Sequence, residues 1–305
     1  MTSTNSTYHT PVMLQECMTG LALTPSGVVV DATFGGGGHS KEILKQLTDG
    51  HLYGFDQDMD AQAQSKAIES SAFTFIKANF SALAKYMRFY NAAPIDGILA
   101  DLGISSHQIN EGERGFSFRF EATLDMRMNR QGGISARELI NEYGLQELTN
   151  VFREYGELKN AWQIANAIDR ARNFEPIEST SQLKEILTPL ARRGREHKFF
   201  AQVFQAIRIE VNKEMEVLKE LLEQSAKVLK KGGRLVVITY HSLEDRLVKN
   251  YIKNGLFSGE PEKDIYGNVD KPFKAITRKP IVPSALEIEK NNRARSAKLR
   301  IAEKN

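Results

Sequence analysis

The chain has 305 residues, a length that predicts about two domains, and its 41% hydrophobic and 26% charged residues are typical of a globular protein. Its single cysteine, Cys17, excludes an internal disulfide and any cysteine-cluster metal site, and the net charge is a mild +3. Because no apolar run approaches about 18 residues and the first residues lack a secretory signal, we expect a soluble, cytoplasmic protein.

Short apolar runs that end at an acidic or amide residue predict four parallel β-strands: Val28–Asp31, His51–Asp56, Phe73–Asn79 and Ile95–Asp101. Their ends are 22 to 25 residues apart, which suits β-strands joined by helical crossovers. The turn pair Gly232–Gly233 introduces a fifth predicted strand, Arg234–Tyr240, and a last one covers Ala297–Ala302. This pattern predicts an α/β fold with a doubly wound, Rossmann-like sheet.

The segment between Asp101 and Arg234 is longer than one crossover needs, and its pattern is helical. Ser135 and Glu138 form a capping-box pair, and apolar residues at helical spacing follow from Leu145 onward. We therefore predict that residues 1–110 and 205–305 form the sheet domain and that residues 111–204 form an inserted all-helical domain. The Pro- and Gly-containing stretch Ser258–Pro283 is predicted to be irregular.

Four glycines, Gly35–Gly38, follow the first predicted strand and precede a predicted helix. Glycine is needed where a backbone passes close to a ligand, and the first turn of a doubly wound sheet lies at its ligand-binding edge. Asp56 ends the second strand 21 residues beyond Gly35, where a carboxylate can accept hydrogen bonds from ribose hydroxyls.

The residues around this turn favour a ligand without phosphates. Asp31 would repel a pyrophosphate, and Ser40 stands where a dinucleotide motif has its third glycine, which argues against nicotinamide-dependent reduction. A cationic nucleoside such as S-adenosylmethionine fits better. The alternative is a glycine turn whose aspartate is purely structural.

Asp101 ends the fourth strand, at the edge that faces the methyl donor in S-adenosylmethionine-dependent folds. The amine of cytosine is a poor nucleophile because its lone pair is delocalised into the ring. A hydrogen-bond acceptor beside the amine can hold an N–H and orient the lone pair. Asp101 is the candidate acceptor, and a strand-end aspartate that caps the next turn is the alternative.

Seven segments in order resemble the signatures of one family: Asp31-Ala-Thr-Phe-Gly-Gly-Gly-Gly-His-Ser, Asp101-Leu-Gly-Ile-Ser-Ser-His-Gln, Glu113-Arg-Gly-Phe-Ser-Phe, Leu124-Asp-Met-Arg-Met, Phe204-Gln-Ala-Ile-Arg-Ile-Glu-Val-Asn, His241-Ser-Leu-Glu-Asp-Arg and Arg293-Ala-Arg-Ser-Ala-Lys-Leu-Arg. From His9 to its C-terminus, the chain resembles the bacterial 16S ribosomal RNA cytosine-N4 methyltransferases of the MraW type.

The resemblance implies transfer of a methyl group from S-adenosylmethionine to the N4 amine of a cytosine in the decoding region of 16S ribosomal RNA. The partner would be the small ribosomal subunit or its precursor, recognised by the helical insertion. Donor contacts map to Gly37, Gly38, His39, Asp56, Phe80, Asp101 and Gln108, the catalytic residues are predicted to be Asp101, Ser105 and His241, and no metal is expected.

Two other functions stay open as alternatives. A DNA amino-methyltransferase would carry Pro-Pro-aromatic after the acidic residue, where this chain has Leu-Gly-Ile after Asp101. A non-catalytic RNA-binding ribosome assembly factor would retain only a vestigial pocket. Single residues are open too: His241 either contacts substrate or caps the following helix, Tyr240 either stacks on a base or packs in the core, and Trp162 is more typical of core than of a base platform.

The charge distribution favours a polyanionic partner. Residues 227–305 carry 18 Lys and Arg against 9 Asp and Glu, although a solvated basic tail is the alternative. The candidate phosphate contacts are Arg192, Arg193, Arg195, Lys198, Arg293, Arg295, Lys298 and Arg300. The chain departs from the family pattern at Phe199–Gln202, where relatives carry Pro-Ala-Thr-Arg, and at Asn292, where a proline is common.

Overall fold

A computed structural model describes residues 11–104, 114–262, 265–267 and 269–305. The chain divides into two compact units, one formed by Met1–Gly103 with Glu216–Asn305 and the other by Ile104–Met215. The predicted insertion, residues 111–204, falls inside the second unit, and its domain boundaries stay a prediction. No helix in the described ranges is long and apolar enough to cross a membrane.

The first unit contains a seven-stranded sheet. Its strands are β1 (Val28–Asp31), β2 (His51–Asp56), β3 (Phe73–Lys77), β4 (Ile95–Asp101), β5 (Leu229–Thr239), β6 (Phe273–Ala275) and β7 (Lys298–Lys304). Their order in the sheet is β3-β2-β1-β4-β5-β7-β6. Neighbouring strands among β1 to β5 are parallel, and β7 runs antiparallel to both β5 and β6. Strand order reverses between β1 and β4, the place where ligands bind in such sheets.

The helices are distributed over both units. In chain order they are α1 (Leu14–Leu21), α2 (Gly38–Gln46), α3 (Met59–Ser65), α4 (Leu83–Phe89), α5 (Ala136–Glu142), α6 (Leu145–Glu154), α7 (Ala161–Arg172), α8 (Thr180–Leu187), α9 (Glu196–Asn212), α10 (Glu214–Val228), α11 (Ser242–Asn254) and α12 (Ala285–Lys290).

Both faces of the sheet are covered, as near-continuous apolar strands require. Val30 and Val237 point to one face and pack with buried residues of α4, α10 and α11. Val29 and Val236 alternate to the other face and pack with α1 and α2. The predicted doubly wound α/β fold is therefore confirmed.

Some elements differ from their predicted bounds. β5 begins at Leu229 rather than Arg234, because Gly232 and Gly233 lie within an irregular part of the strand, opposite Ile95–Gly97, instead of forming a turn before it. The stretch predicted to be irregular contains the short strand β6, which is anchored by fully buried Phe273. Helix α1 was not predicted, although Cys17 and Leu21 form its buried side.

The second unit is helical around a core of its own. Ser135 accepts a hydrogen bond from the amide of Glu138, and the Glu138 carboxylate accepts one from the Ser135 amide, so the predicted capping box begins α5. Buried side chains of α5 to α9, together with Leu124 and Met126, fill the core.

Candidate functional site

The turn that follows β1 contains two backbone positions that only glycine occupies without strain. Gly35 has φ of 52° and Gly37 has φ of 74°, both in the left-handed region. A Cβ on Gly37 would lie 2.7 Å from the ring of Phe34, whose own amide donates to the Phe55 carbonyl at 2.9 Å. Gly37 is also the residue that precedes the first turn of α2. The turn is thus tied to β2 and leaves the amino end of α2 at the carboxyl edge of the sheet.

Asp56 holds this turn from the end of β2. One carboxylate oxygen accepts the Gly35 amide at 2.8 Å, and the other accepts the Asp58 amide at 2.8 Å. Burial raises the pKa of Asp56 from 3.8 to about 6, against the lowering effect of these two hydrogen bonds. The carboxylate is therefore partly buried, fixed in orientation and close to the glycines, while its contact with a ribose stays a prediction.

Asp31 and His39 lie beneath the turn. Asp31 is buried and accepts hydrogen bonds from the Ser40 hydroxyl at 2.6 Å and from the Thr33 amide at 3.1 Å. Burial raises the pKa of Asp31, and the Ser40 bond opposes that shift. His39 Nε2 lies 3.0 Å from the Val12 carbonyl, which can only accept, so Nε2 carries a proton and donates it to this carbonyl.

Asp101 ends β4 beside these residues. Its amide donates to the Thr33 hydroxyl at 2.6 Å, and its Oδ1 accepts the Tyr240 hydroxyl at 2.7 Å. Its Oδ2 lies 3.9 Å from His39 Nδ1, and the side chain is 23% exposed. Burial raises the pKa of Asp101 to about 6, although His39 and the Tyr240 hydrogen bond lower it. A partly accessible carboxylate oxygen therefore stands at the ligand-binding edge.

Phe80 follows β3 as the first residue of a short 3₁₀ helix, Phe80–Ala82, whose start is capped by the Asn79 side chain. The Phe80 ring is partly buried against the core on one face of the sheet. Because β3, β2, β1 and β4 are consecutive neighbours and parallel, Phe80, Asp56, the glycine turn and Asp101 all follow strand ends at one edge.

His241 lies at the start of α11 as its N-cap. Its Nδ1 is 3.5 Å from the Glu244 amide, while the Glu244 carboxylate accepts the His241 amide at 3.3 Å and the Tyr240 amide at 2.8 Å. This geometry supports the capping interpretation. The predicted substrate contact of His241 stays a prediction. Ser105 and Gln108 lie outside the described residues, so their predicted roles rest on the resemblance.

The contact between Tyr240 and Asp101 was not predicted, since Tyr240 was expected to stack on a base or to pack in the core. The strand register, which the sequence does not show, explains this contact. Asp101 pairs with Ile238 of the adjacent parallel strand, so a side chain just beyond β5 can reach the end of β4. Glu244, which is 2% exposed, was likewise not singled out as the group that holds both backbone amides.

The structure shows the surroundings of some side chains that were considered for RNA contact, and the contacts themselves stay predictions. Arg300 is buried and donates to Asp245 at 2.7 Å, and Lys298 lies 3.3 Å from the same carboxylate, so both take part in an internal ion pair. Trp162 is 54% exposed, which makes its predicted core position wrong. Gln202, the last residue of the segment Phe199–Gln202, donates to the Gly156 carbonyl at 2.8 Å.

Comparison with known proteins identifies the family. The family model of the MraW methylase family matches residues 6–305. Two curated relatives named "Ribosomal RNA small subunit methyltransferase H" are similar over nearly their whole length. The one from Christiangramia forsetii is 57% identical, over 97% of this chain and 98% of its own. The one from Parabacteroides distasonis is 53% identical, over all of both chains.

Among solved structures, an rRNA methylase from Streptococcus thermophilus is 14% identical, with a TM-score of 0.43 over 96% of this chain and 94% of that one. That similarity is remote, and the assignment rests on the sequence relatives and the family model, which confirm the resemblance found in the sequence. The chain belongs to the MraW methylase family.

Proposed function

We propose that this chain transfers the methyl group of S-adenosylmethionine to the N4 amine of a cytosine in the decoding region of 16S ribosomal RNA. The observation that carries the proposal is Asp101, a partly exposed carboxylate that is hydrogen-bonded through its amide to Thr33 at the glycine turn. The family membership supports a methyl transfer, and the names of the relatives support the small-subunit RNA as substrate. Such a substrate is consistent with the expected cytoplasmic location.

The residues at the carboxyl edge fit the donor. Residues 31–40 contain no Lys or Arg that could bind a phosphate, and the carboxylates of Asp31, Asp56 and Asp101 surround the turn. This negative charge suits the sulfonium and ammonium groups of S-adenosylmethionine. Asp56 retains lone pairs for ribose hydroxyls beyond its two amide bonds. The adenine would pack on Phe80, with Gly37, Gly38 and His39 lining the remainder.

When bound, S-adenosylmethionine supplies an electrophilic methyl group whose sulfonium sulfur leaves as a neutral thioether when the nitrogen–carbon bond forms. Asp101 accepts a hydrogen bond from the N4 amine and orients its lone pair along the line of transfer. The methylated nitrogen then loses one proton, to water or to the Asp101 carboxylate. Ser105, Gln108 and His241 are assigned to holding the base or the donor. The cytosine must leave its stack to reach this edge.

The test is incorporation of tritiated methyl groups from S-adenosylmethionine into purified substrates. We expect incorporation into 30S subunits that lack the modification, and none into duplex DNA. Incorporation into duplex DNA alone would identify a DNA amino-methyltransferase. RNA binding without any calorimetric binding of S-adenosylmethionine would identify a non-catalytic assembly factor. Either result would overturn the proposal.

A further inference from the structure

Tyr240 contacts Asp101 directly. The Tyr240 hydroxyl donates to Oδ1 of Asp101 at 2.7 Å, and its ring packs on Gly103, where a Cβ would lie 3.1 Å from the ring. Gly103 has φ of 115°, a conformation that strongly favours glycine, so the backbone after β4 is shaped to admit the ring. The backbone conformation after β4 therefore favours the contact between Tyr240 and Asp101.

The backbone of Tyr240 is anchored from the opposite side. Its amide donates to Glu244 Oε2 at 2.8 Å, and the same oxygen accepts the His241 amide at 3.3 Å. Glu244 belongs to the first turn of α11 and is buried. Because α11 fixes the backbone and Asp101 fixes the hydroxyl, the Tyr240 side chain has little freedom to leave this position.

The hydroxyl is a permanent donor. Burial, and after it the negative charge of Asp101, raises the pKa of Tyr240, so the phenol stays protonated at any working pH. A protonated phenol at 2.7 Å occupies Oδ1 of Asp101 and leaves Oδ2, the oxygen near His39, for another partner.

We propose that Tyr240 is a positioning residue for the methyl transfer: its hydroxyl binds Oδ1 of Asp101 and so presents Oδ2 as the acceptor for the target amine. The inference rests on the proposed function, since it concerns the orientation of the group that we assign to hold the amine. It adds a residue that acts through Asp101 and touches neither donor nor base.

The role has a consequence for pH dependence. Several titratable groups face Asp101: His39 and Tyr240 favour its ionised form, whereas Asp31 and Glu244 disfavour it, and buried Cys17 lies close enough to feel its charge. Removing the Tyr240 hydroxyl removes one stabilising hydrogen bond from the carboxylate. The pKa of Asp101 should then rise above about 6, and the pH below which activity declines should rise with it.

The experiment compares full-length Tyr240→Phe with wild type in single-turnover methyl transfer to 30S subunits between pH 5 and 8. Phe keeps the ring against Gly103 and removes only the hydroxyl. We expect a rate about tenfold lower at pH 7, an acid limb displaced to higher pH, and unchanged calorimetric affinity for S-adenosylmethionine. The matched control is Tyr251→Phe, a buried tyrosine that stacks on Phe257, and it should behave as wild type.

Two results would overturn the inference. The first is a Tyr240→Phe rate and pH profile equal to those of wild type. The second is a slower rate with an unchanged acid limb, which would mean that the rate falls through a general structural change and not through Asp101. Asp101→Ala separates this failure from that of the proposed function. An active Asp101→Ala variant would contradict the proposed mechanism itself. An inactive Asp101→Ala beside an unaffected Tyr240→Phe would contradict only the role of Tyr240.

Discussion

Asp56 and Asp101 end the two strands that flank β1, and both are ionisable groups that the fold partly buries. Burial raises the pKa of each from 3.8 to about 6. Because the folded state then binds protons more tightly than the unfolded chain, the stability that these groups contribute is present below about pH 4 and is lost as pH rises through about 6. A cationic donor bound between the two carboxylates would restore part of this lost stability at neutral pH.

Asp101→Asn tests the acceptor role with a side chain of the same shape. We expect single-turnover methyl transfer to fall by about 100-fold, because the carboxamide cannot supply the same negative acceptor to the amine. With S-adenosylmethionine saturating at every pH, so that protonation of Asp56 does not limit donor binding, wild type should lose activity as pH falls through about 6, and this acid limb should be absent from the residual activity of the variant. An acid limb that persists in Asp101→Asn would assign the titration to another group.

Asp56→Asn tests donor binding. The carboxamide keeps one acceptor oxygen but loses the charge and half of the acceptors that meet the ribose and the Gly35 amide. Calorimetry should show affinity for S-adenosylmethionine weakened by about 10- to 100-fold. Asp49→Asn, an exposed carboxylate at the opposite end of β2, should bind the donor as wild type does. Equal affinities in both variants would remove Asp56 from the site.

At the scale of elements, the glycine turn has a backbone conformation that excludes a side chain at Gly37. Gly37→Ala would place a Cβ 2.7 Å from the Phe34 ring at a φ of 74°, so we expect the free energy of unfolding to fall by about 2–4 kcal/mol. Gly132→Ala is the matched control, because no atom lies within 4 Å of its added Cβ. Denaturant titration measures both, and a control that is destabilised as much as Gly37→Ala would contradict the steric argument.

The elements also show which features of a sequence determine structure locally. β1, β2 and β4 have the predicted bounds because β-branched and apolar runs ending in Asp specify both the strand and its last residue. Asp56 and Asp101 could be assigned to one edge because parallel strands end there together. The start of β5 could not be assigned, since Gly232 normally signals a turn and only pairing with β4 extends the strand past it.

The site residues that the sequence did not reveal have roles that depend on the orientation of their side chains. Tyr240 follows β5, and its sequence neighbours do not reveal that its hydroxyl reaches Asp101, 139 residues away. The roles of Glu244 and of Asp31 with Ser40 are likewise set by hydrogen bonds between side chains or across a turn. The capping box of α5 was predictable because its two partners are three residues apart.

At the scale of the whole molecule, the basic excess of residues 227–305 is partly neutralised within the first unit. Ion pairs join Lys230 to Asp96, Arg234 to Glu303, and both Lys298 and Arg300 to Asp245. In the second unit, the exposed cations Arg192, Arg193, Arg195 and Lys198 lie within seven residues of one another in the sequence and have no ion-pair partner among the described residues. This cluster is the better candidate for phosphate contact.

Replacing Arg192 and Arg195 by Gln tests that surface. The logarithm of the binding constant for 16S ribosomal RNA falls linearly with the logarithm of the salt concentration. If each arginine contacts a phosphate, this slope should become less steep by about 2 in the double variant. Lys45→Gln, which removes a cation already paired with Glu42, should leave the slope unchanged. Filter binding at several salt concentrations measures both, and unchanged slopes in both variants would exclude the cluster from the RNA interface.

The most direct test of the central claim is mass mapping of methylated nucleotides in 16S ribosomal RNA from a strain that lacks this protein and from complemented strains. We expect one decoding-region cytosine to lose its N4 methyl group in the deletion strain. Complementation with wild type should restore the modification, and complementation with Asp101→Ala should not. An unchanged methylation map in the deletion strain, or full restoration by Asp101→Ala, would contradict the account.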